Sequence, residues 1–544
     1  MAISPRTDLR IIKCPLELDE KNQLTFSSAT AQANYFLSLP HLEIENISYQ
    51  RKDSTIRFPE HIDSIIEYNY VMYKNDNYSN KWFYAFITNM EYINDNMTLI
   101  TIKTDVFQTW QFDLEWKQSF IEREMLSVQD DVIGANILNE NLDVGEPIVV
   151  NQYQTDFNKQ VFFVIESSFD PFNNTSGAAA KILNNGLYAN HIFLFPVDLE
   201  NPTSLDSVKY IHSIENFFWA LLVRGKTYDE VKNLYVLPQV TFSNVTYSHV
   251  NIQEGSDEPV TIWFGIPSDS FNISKQTKTI AKLTSYDNLS IKNKKCFCYP
   301  YNYLFVSNNN GNQNIYKYEK FLNTTNATFD LYFSQQIGGS GRLIPYDYNC
   351  KQQVEAVQNF DESIPLGKFP TFNWSGDAFT NWLTANGVNV ISNFVNIAGN
   401  IAATSVGDLS GIPATFNAIA NQVSGFKQAS MLPAIQGGNN SSDCLYAGLK
   451  NEFIFKRMRC DDEHMQVIDN FFSMFGYLTN KLKLPNLNNR KYWNYVKTID
   501  CNILADIPQN DLQEIKSMFD TGVTLWHTTT YFLDYSQNNN ASLT

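Results

Sequence analysis

Lys81–Lys103 reads KWFYAFITNMEYINDNMTLITIK. Trp82, Tyr84 and Phe86 alternate with Phe83, Ala85 and Ile87, the period of two that a β-strand imposes. Asn94-Asp95-Asn96 then supplies turn chemistry, and Leu99, Ile100 and Ile102 resume the alternation. Strand, turn and strand predict a hairpin, and the chain to about residue 170 continues in the same pattern. The fold class expected is therefore β-rich α+β.

Composition agrees. Aromatics make up 14% of the 544 residues, with Tyr and Phe dominant, and such side chains pack well on half-buried pleats. Charged residues are 18%, below the usual quarter, so much of the surface is neutral and polar, as in a subunit that hides surface in an assembly or in a glycan-binding protein. The net charge of −17 excludes recruitment of nucleic acid by basic patches. Seven dispersed cysteines lack metal spacing, and Cys296-Phe297-Cys298 is too tight for a zinc half-site, so free buried thiols are expected. The N-terminal MAISPRTDLRIIKCPLELDE has no apolar core and does not read as a signal peptide, which predicts folding in a reducing cytoplasm.

Length predicts two to four domains. The region 171–370 mixes strands and helices. SLDSVKYIHSIENFFWALLVRG places Val208, Ile211, Ile214, Phe218 and Leu221 near helical spacing and ends at Gly225. Thr227-x-x-Glu230 signals a capping box for a second short helix, and GGSGRL from Gly338 signals a flexible turn. Between 441 and 544, NEFIFKRMR, GYLTNKLKL, KYWNYVKTIDC and GVTLWHT read as strands, with DDEHMQVIDNFFSMF and DLQEIKSMFD as helices. Two strand–helix–strand units in series predict a split βαβ, ferredoxin-like layer.

The stretch 371–440 differs from all of this. No charge occurs between Asp377 and Asp408. Asn386, Asn389, Asn393, Asn396 and Asn400 recur at spacings of three and four, which keeps them on one stripe of a helix. The other side carries Val388, Ile391, Val395, Ala398 and Ala402, flanked by Phe394 and Ile401. A second segment presents Phe416, Ile419, Val423 and Phe426 on one face, and Asp408, Gly411 and Pro413 mark the turn between the two. From Trp382 to Asp408 a helix would run about 37 Å, against a hydrocarbon core of about 30 Å. A ring of such helices would turn apolar faces to lipid and the asparagine stripe inward as a pore lining. A hairpin buried against other protein, or an Asn-Gly-Ala-Ser linker, gives the same pattern.

No HExxH, GxSxG or paired-glycine fingerprint occurs, and His464 in DDEHMQ sits where capping or solvation is expected. No catalytic residue, cofactor or metal is therefore predicted.

NKWFYAF (Asn80–Phe86), DVFQTWQF (Asp105–Phe112), SFIERE (Ser119–Glu124), LPNLNNRKYWNYVKTIDCNI (Leu484–Ile503) and NDLQEIKSMFDTGVTLWHT (Asn510–Thr528) bracket nearly the whole chain in order. They resemble the tail knob, or distal tail tube, proteins of small short-tailed phages with protein-primed genomes. The resemblance implies a homohexameric tube at the virion tail tip, assembled in the host cytoplasm from β-barrel-like domains. Residues 1–170, 171–370 and 441–544 would form tube wall. The hydrophobic loop 371–440 would plug the lumen and then enter the host cytoplasmic membrane as a pore. Implied partners are further copies of the chain, an upstream tube or collar, a cell-wall-degrading tip, and double-stranded DNA passing non-specifically through the lumen. A plug that binds a receptor or glycan without entering the membrane is the alternative.

Overall fold

The computed structural model describes residues 6–540 except 50–53, 76–80, 156–159, 173–180, 185–186, 199–203, 227–229, 243, 256–257, 268–273, 309–310, 335–339, 353–360, 369–370 and the long stretch 374–451. The chain divides into two compact units. The first comprises Met1–Glu146, Thr284–Tyr301 and Cys460–Thr544, and the second comprises Pro147–Leu283 and Asn302–Arg459.

In the first unit the Phe83–Asn94 and Met97–Thr104 strands form the expected hairpin, closing at Asn94↔Met97. Its first half is buried on both faces. Phe83 and Ala85 join a core with Ile515 and Phe519, while Tyr84 and Phe86 join another with Phe36, Trp493 and Trp526. The hairpin belongs to a six-stranded antiparallel sheet ordered His41–Ser48, Arg6–Ile12, Tyr70–Asn75, Phe83–Asn94, Met97–Thr104, Thr55–Phe58.

A five-stranded sheet follows the order Asn22–Leu24, Val523–Trp526, Trp493–Asp500, Ser119–Glu124, Tyr477–Lys483. The helices Asp462–Phe475 and Gln509–Thr521 form where read. Gln509–Thr521 buries Leu512, Ile515, Met518 and Phe519, one stripe at helical spacing. The expected split βαβ order is corrected by the pairing. Trp493–Asp500 lies directly antiparallel to Val523–Trp526, and Ser119–Glu124 fills the place beside it. Ile454–Arg459 leaves for a sheet of the other unit. A strand from far earlier in the chain, with contacts across 353 to 375 residues, thus completes the layer that the C-terminal elements alone would otherwise have to close.

In the second unit a seven-stranded sheet runs Val245–Ile252, Val260–Pro267, Leu187–Asp198, Gln160–Ser167, Val231–Pro238, Thr371–Asn373, with Lys181–Asn184 paired on Leu187–Asp198. The Leu205–Val223 helix packs on it through Tyr210, Ile214, Phe217, Phe218 and Leu221. Gly225, at φ +66°, ends that helix. Ser204 starts it, its hydroxyl accepting the Ser207 N–H at 3.2 Å. Ser204→Ala is expected to cost about 1 kcal/mol, read as a lowered urea midpoint at unchanged slope.

The second helix expected after Thr227 is a strand. Val231–Pro238 pairs with Gln160–Ser167 along its length, and this ladder overrides the local capping signal. Similarly, GGSGRL passes into the strand Ser340–Tyr346, and Gly338 and Gly339 lie outside the described residues.

Two four-stranded sheets complete the unit. One is Ile148–Gln154, Ile454–Arg459, Asn302–Ser307, Gln313–Tyr316; the other is Ser274–Ala281, Asn326–Phe333, Ser340–Tyr346, Ile364–Lys368. Leu304, Tyr316, Phe329 and Phe455 share their core. Among the described residues six cysteines are in no disulfide, and five of them are buried.

Candidate functional site: the base of the uncharged segment

The apolar face from Trp382 to Phe426, the asparagine stripe from Asn386 to Asn400 and the turn at Asp408, Gly411 and Pro413 all lie outside the described residues. What is described is the base from which that segment departs and to which it returns. Both ends belong to the second unit.

The departing end is Thr371–Asn373, an edge strand paired on Val231–Pro238 through Tyr235↔Thr371 and Asn233↔Asn373. The returning end is held far more firmly. Phe453 is fully buried, its carbonyl accepts the Thr155 N–H at 3.1 Å, and its own N–H donates to the Thr155 hydroxyl at 2.9 Å. Ile454–Arg459 then runs between two neighbours, Ile148–Gln154 and Asn302–Ser307. Phe455 reaches into the core beside Phe329, ring centroids 5.3 Å apart.

Arg457 fixes this strand across the sheet. It is 6% exposed, and its guanidinium donates to the Ala281 carbonyl at 2.6 Å, to Asn151 Oδ1 at 3.3 Å and to the Tyr318 hydroxyl at 3.4 Å. Burial lifts the Tyr318 phenol above its ordinary range, while Arg457 pulls it down. A buried arginine with three hydrogen-bonded partners is a rigid anchor, since each donor it lost would leave an unsatisfied buried charge. The base can therefore hold one end of a long segment fixed. Neither Thr155 nor Arg457 was singled out from the sequence. In FIFKRMR, Arg457 and Arg459 fall on the same period-two face as Phe453 and Phe455, and that was the available signal.

The remaining chemistry is structural. At the start of Asp462–Phe475, the His464 N–H donates to Asp461 Oδ1 at 3.0 Å, and its imidazole Nδ1 lies 2.8 Å from Asp461 Oδ2. The pairing raises His464 and lowers Asp461 from their ordinary pKa values. Among the described residues no group of three or more His, Cys, Asp or Glu side chains could hold a metal, and no helix is long and apolar enough to cross a membrane.

Residues 269–540 match the family model of the C-terminal domain of the Bacillus phage phi29 tail knob protein gp9, half of the chain. The chain belongs to the phage tail knob protein family. Residues 6–115 also match the N-terminal model of the caudoviral major tail protein. The tail knob protein gp9 of Bacillus phage B103 is 26% identical over 98% of this chain and 98% of its own length. That of Bacillus phage phi29 is 26% identical over 96% of each. The solved tail knob protein gp12 of bacteriophage C1 shares the fold, with a TM-score of 0.65 at 15% identity, covering 99% of this chain and 100% of that one. As a tail knob protein the chain is a structural component of the virion tail that assembles with other tail proteins, and it is not an enzyme.

Proposed function

We propose that copies of this tail knob protein form a hexameric tube at the tail tip, that the uncharged segments plug its lumen, and that they then enter the host cytoplasmic membrane as a pore for the genome. The observation that carries this reading is the charge-free interval between Asp377 and Asp408, with its asparagine stripe opposite Val388, Ile391 and Val395. It is supported by the base, which holds both chain ends in strands of one unit while 374–451 runs between them.

The energy source is exchange of a protein-covered apolar face for lipid, on the order of 25 cal/mol per Å² of apolar area. No catalysis is needed. Six copies would carry about −100 in charge, and an acidic lumen repels phosphate and offers few cations for counterion release, so DNA would slide.

Dye-loaded liposomes test the reading. The full-length protein, once released from its plugged state, is expected to cause leakage. Deleting 382–426, or replacing Ile391 and Val395 together by Asp, is expected to abolish that leakage while the oligomer survives. Unchanged leakage would remove the segment from the pore. An intact tube that never leaks would favour the receptor- or glycan-binding plug.

A further inference from the structure

Among the described residues, the sheet that carries the returning strand ends on each side in a strand with a single strand partner. At one, Ile148–Gln154 pairs only with Ile454–Arg459 among the described residues; at the other, Gln313–Tyr316 pairs only with Asn302–Ser307. Six of the seven residues of Ile148–Gln154 are exposed, including Ile148 at 38%, Val149 at 49% and Val150 at 37%. An exposed apolar edge of this length is an association hazard that proteins usually blunt with Lys or Pro. IVVNQYQ contains neither.

The opposite edge, QNIY, exposes Ile315 at 39%. The Ile315 N–H donates to the Oδ1 of Asn314, the residue before it in the same strand, at 2.8 Å, a side-chain partner where an inner strand would offer backbone.

We propose that these two edges bind each other between copies of the chain, the Ile148–Gln154 edge of one copy pairing with the Gln313–Tyr316 edge of the next. Three observations select a second copy as the occupant. First, neither strand itself carries a charge, and the carboxylate that lies against the second, Glu362, is taken up by the Asn314 amide at 3.3 Å, so two chains of net −17 meet little like-charge contact there. Second, all three pairings inside the sheet are antiparallel, so its outer strands run in opposite directions. A neighbour brought alongside by rotation about a ring axis therefore meets it antiparallel again, and the alternation continues unbroken. Third, the edges are different surfaces of one chain, which makes the contact heterologous, the kind that closes into rings.

The inference rests on the ring reading above and names the contact that builds it. It also puts the anchored strand Ile454–Arg459 one strand away from the joint, so that the return point of the uncharged segment is held by the assembled sheet rather than by one chain.

Cross-linking decides it. Val150→Cys and Ile315→Cys are made separately and together in the full chain and treated with a short bis-maleimide, with the wild-type chain as the thiol background. Each single variant alone is expected to give no added two-chain band, their mixture a two-chain band, and the double variant a ladder ending in a closed ring. Val149→Lys with Val150→Lys is expected to weaken association at least tenfold by sedimentation while leaving the circular dichroism unchanged. Self-linking of Val150→Cys alone, or assembly that the two lysines leave intact, would overturn the proposal. A wild-type ring that the double variant cannot cross-link would sink the pairing and leave the ring standing. A wild-type chain that stays single at all concentrations would sink both.

Discussion

Replacing Glu140 by alanine is expected to remove about 3–5 kcal/mol of folding stability, the cost of leaving buried charge unpaired. Glu140 belongs to the irregular run between Ser119–Glu124 and Ile148–Gln154, yet its side chain is fully buried. Its carboxylate accepts from the Arg123 guanidinium, the Lys295 ammonium and the Leu478 N–H, the last at 3.0 Å. The Lys295 side chain is 2% exposed and that of Arg123 11%. Arg123 lies over the Phe471 ring at 4.9 Å and Lys295 near Tyr477 at 5.3 Å, so neither cation can turn to solvent without breaking aromatic packing. Burial already pulls the Lys295 pKa below the usual lysine range, and Glu140 is what pushes it back up.

In the variant Lys295 is therefore held charged less strongly when folded than when unfolded. The unfolded chain binds the extra proton in the alkaline range, so the deficit is expected to shrink as pH rises from 7 towards 10. Adding Lys295→Met should recover at least half of the loss, because two buried cations become one. Urea unfolding at pH 7 and 9.5 reads both effects. A loss under 1 kcal/mol would mean that the triad is solvated, and the run 126–147 merely draped.

That run also shows where reading the sequence stopped. NENLDVGEP has the composition of a surface loop, and no local pattern distinguishes Glu140 from its exposed neighbours. Its partners sit 17 and 155 residues away. The hairpin at Phe83–Thr104 and the helices Asp462–Phe475 and Gln509–Thr521 were legible because alternation, turn residues and helical stripes are local. Val231–Pro238 was misread for the converse reason. A capping signal is also local, and it lost to a ladder with Gln160–Ser167, about 70 residues away in the sequence. The ferredoxin-like order failed likewise, since nothing in KYWNYVKTIDC reveals that Ser119–Glu124 will lie beside it. At the candidate site, the charge-free span is plain in the sequence, while the two faces expected from its spacing lie outside the described residues. The clamp at Phe453 and Thr155 was not legible, because it joins a backbone to a residue 298 positions away through one backbone and one hydroxyl hydrogen bond.

Asp105→Asn is expected to change the pH dependence of stability by about 4 kcal/mol between pH 4 and pH 8. Asp105 opens the short helix Val106–Trp110, its Oδ1 accepting the Gln108 N–H at 3.0 Å and its Oδ2 the Tyr70 hydroxyl at 2.9 Å. Asp105 is fully buried, and its partner Tyr70 packs in one core with Phe36 and Tyr84. Burial raises the carboxyl to about 7 despite those two donors, with the Glu20 charge adding to the rise and the Lys103 charge opposing it. An unfolded aspartate titrates near 4. Between these values the folded chain keeps a proton that the unfolded chain has released, so Asp105 lowers stability as pH rises through the window. About three units at 1.36 kcal/mol each give the figure above. Asparagine caps a helix as well as aspartate and cannot ionise. The variant should thus match wild type near pH 4 and exceed it near pH 8. His527 works in the opposite sense: burial lowers it to about 4, so the unfolded chain takes up its proton first on acidification and stability falls below pH 6.5. With Asp105 neutralised, that acid-side loss should stand out in urea midpoints measured from pH 4 to 8. Parallel wild-type and variant curves across this range would show that Asp105 is ionised in the folded chain, with its charge compensated by the Tyr70 hydroxyl and the Gln108 amide.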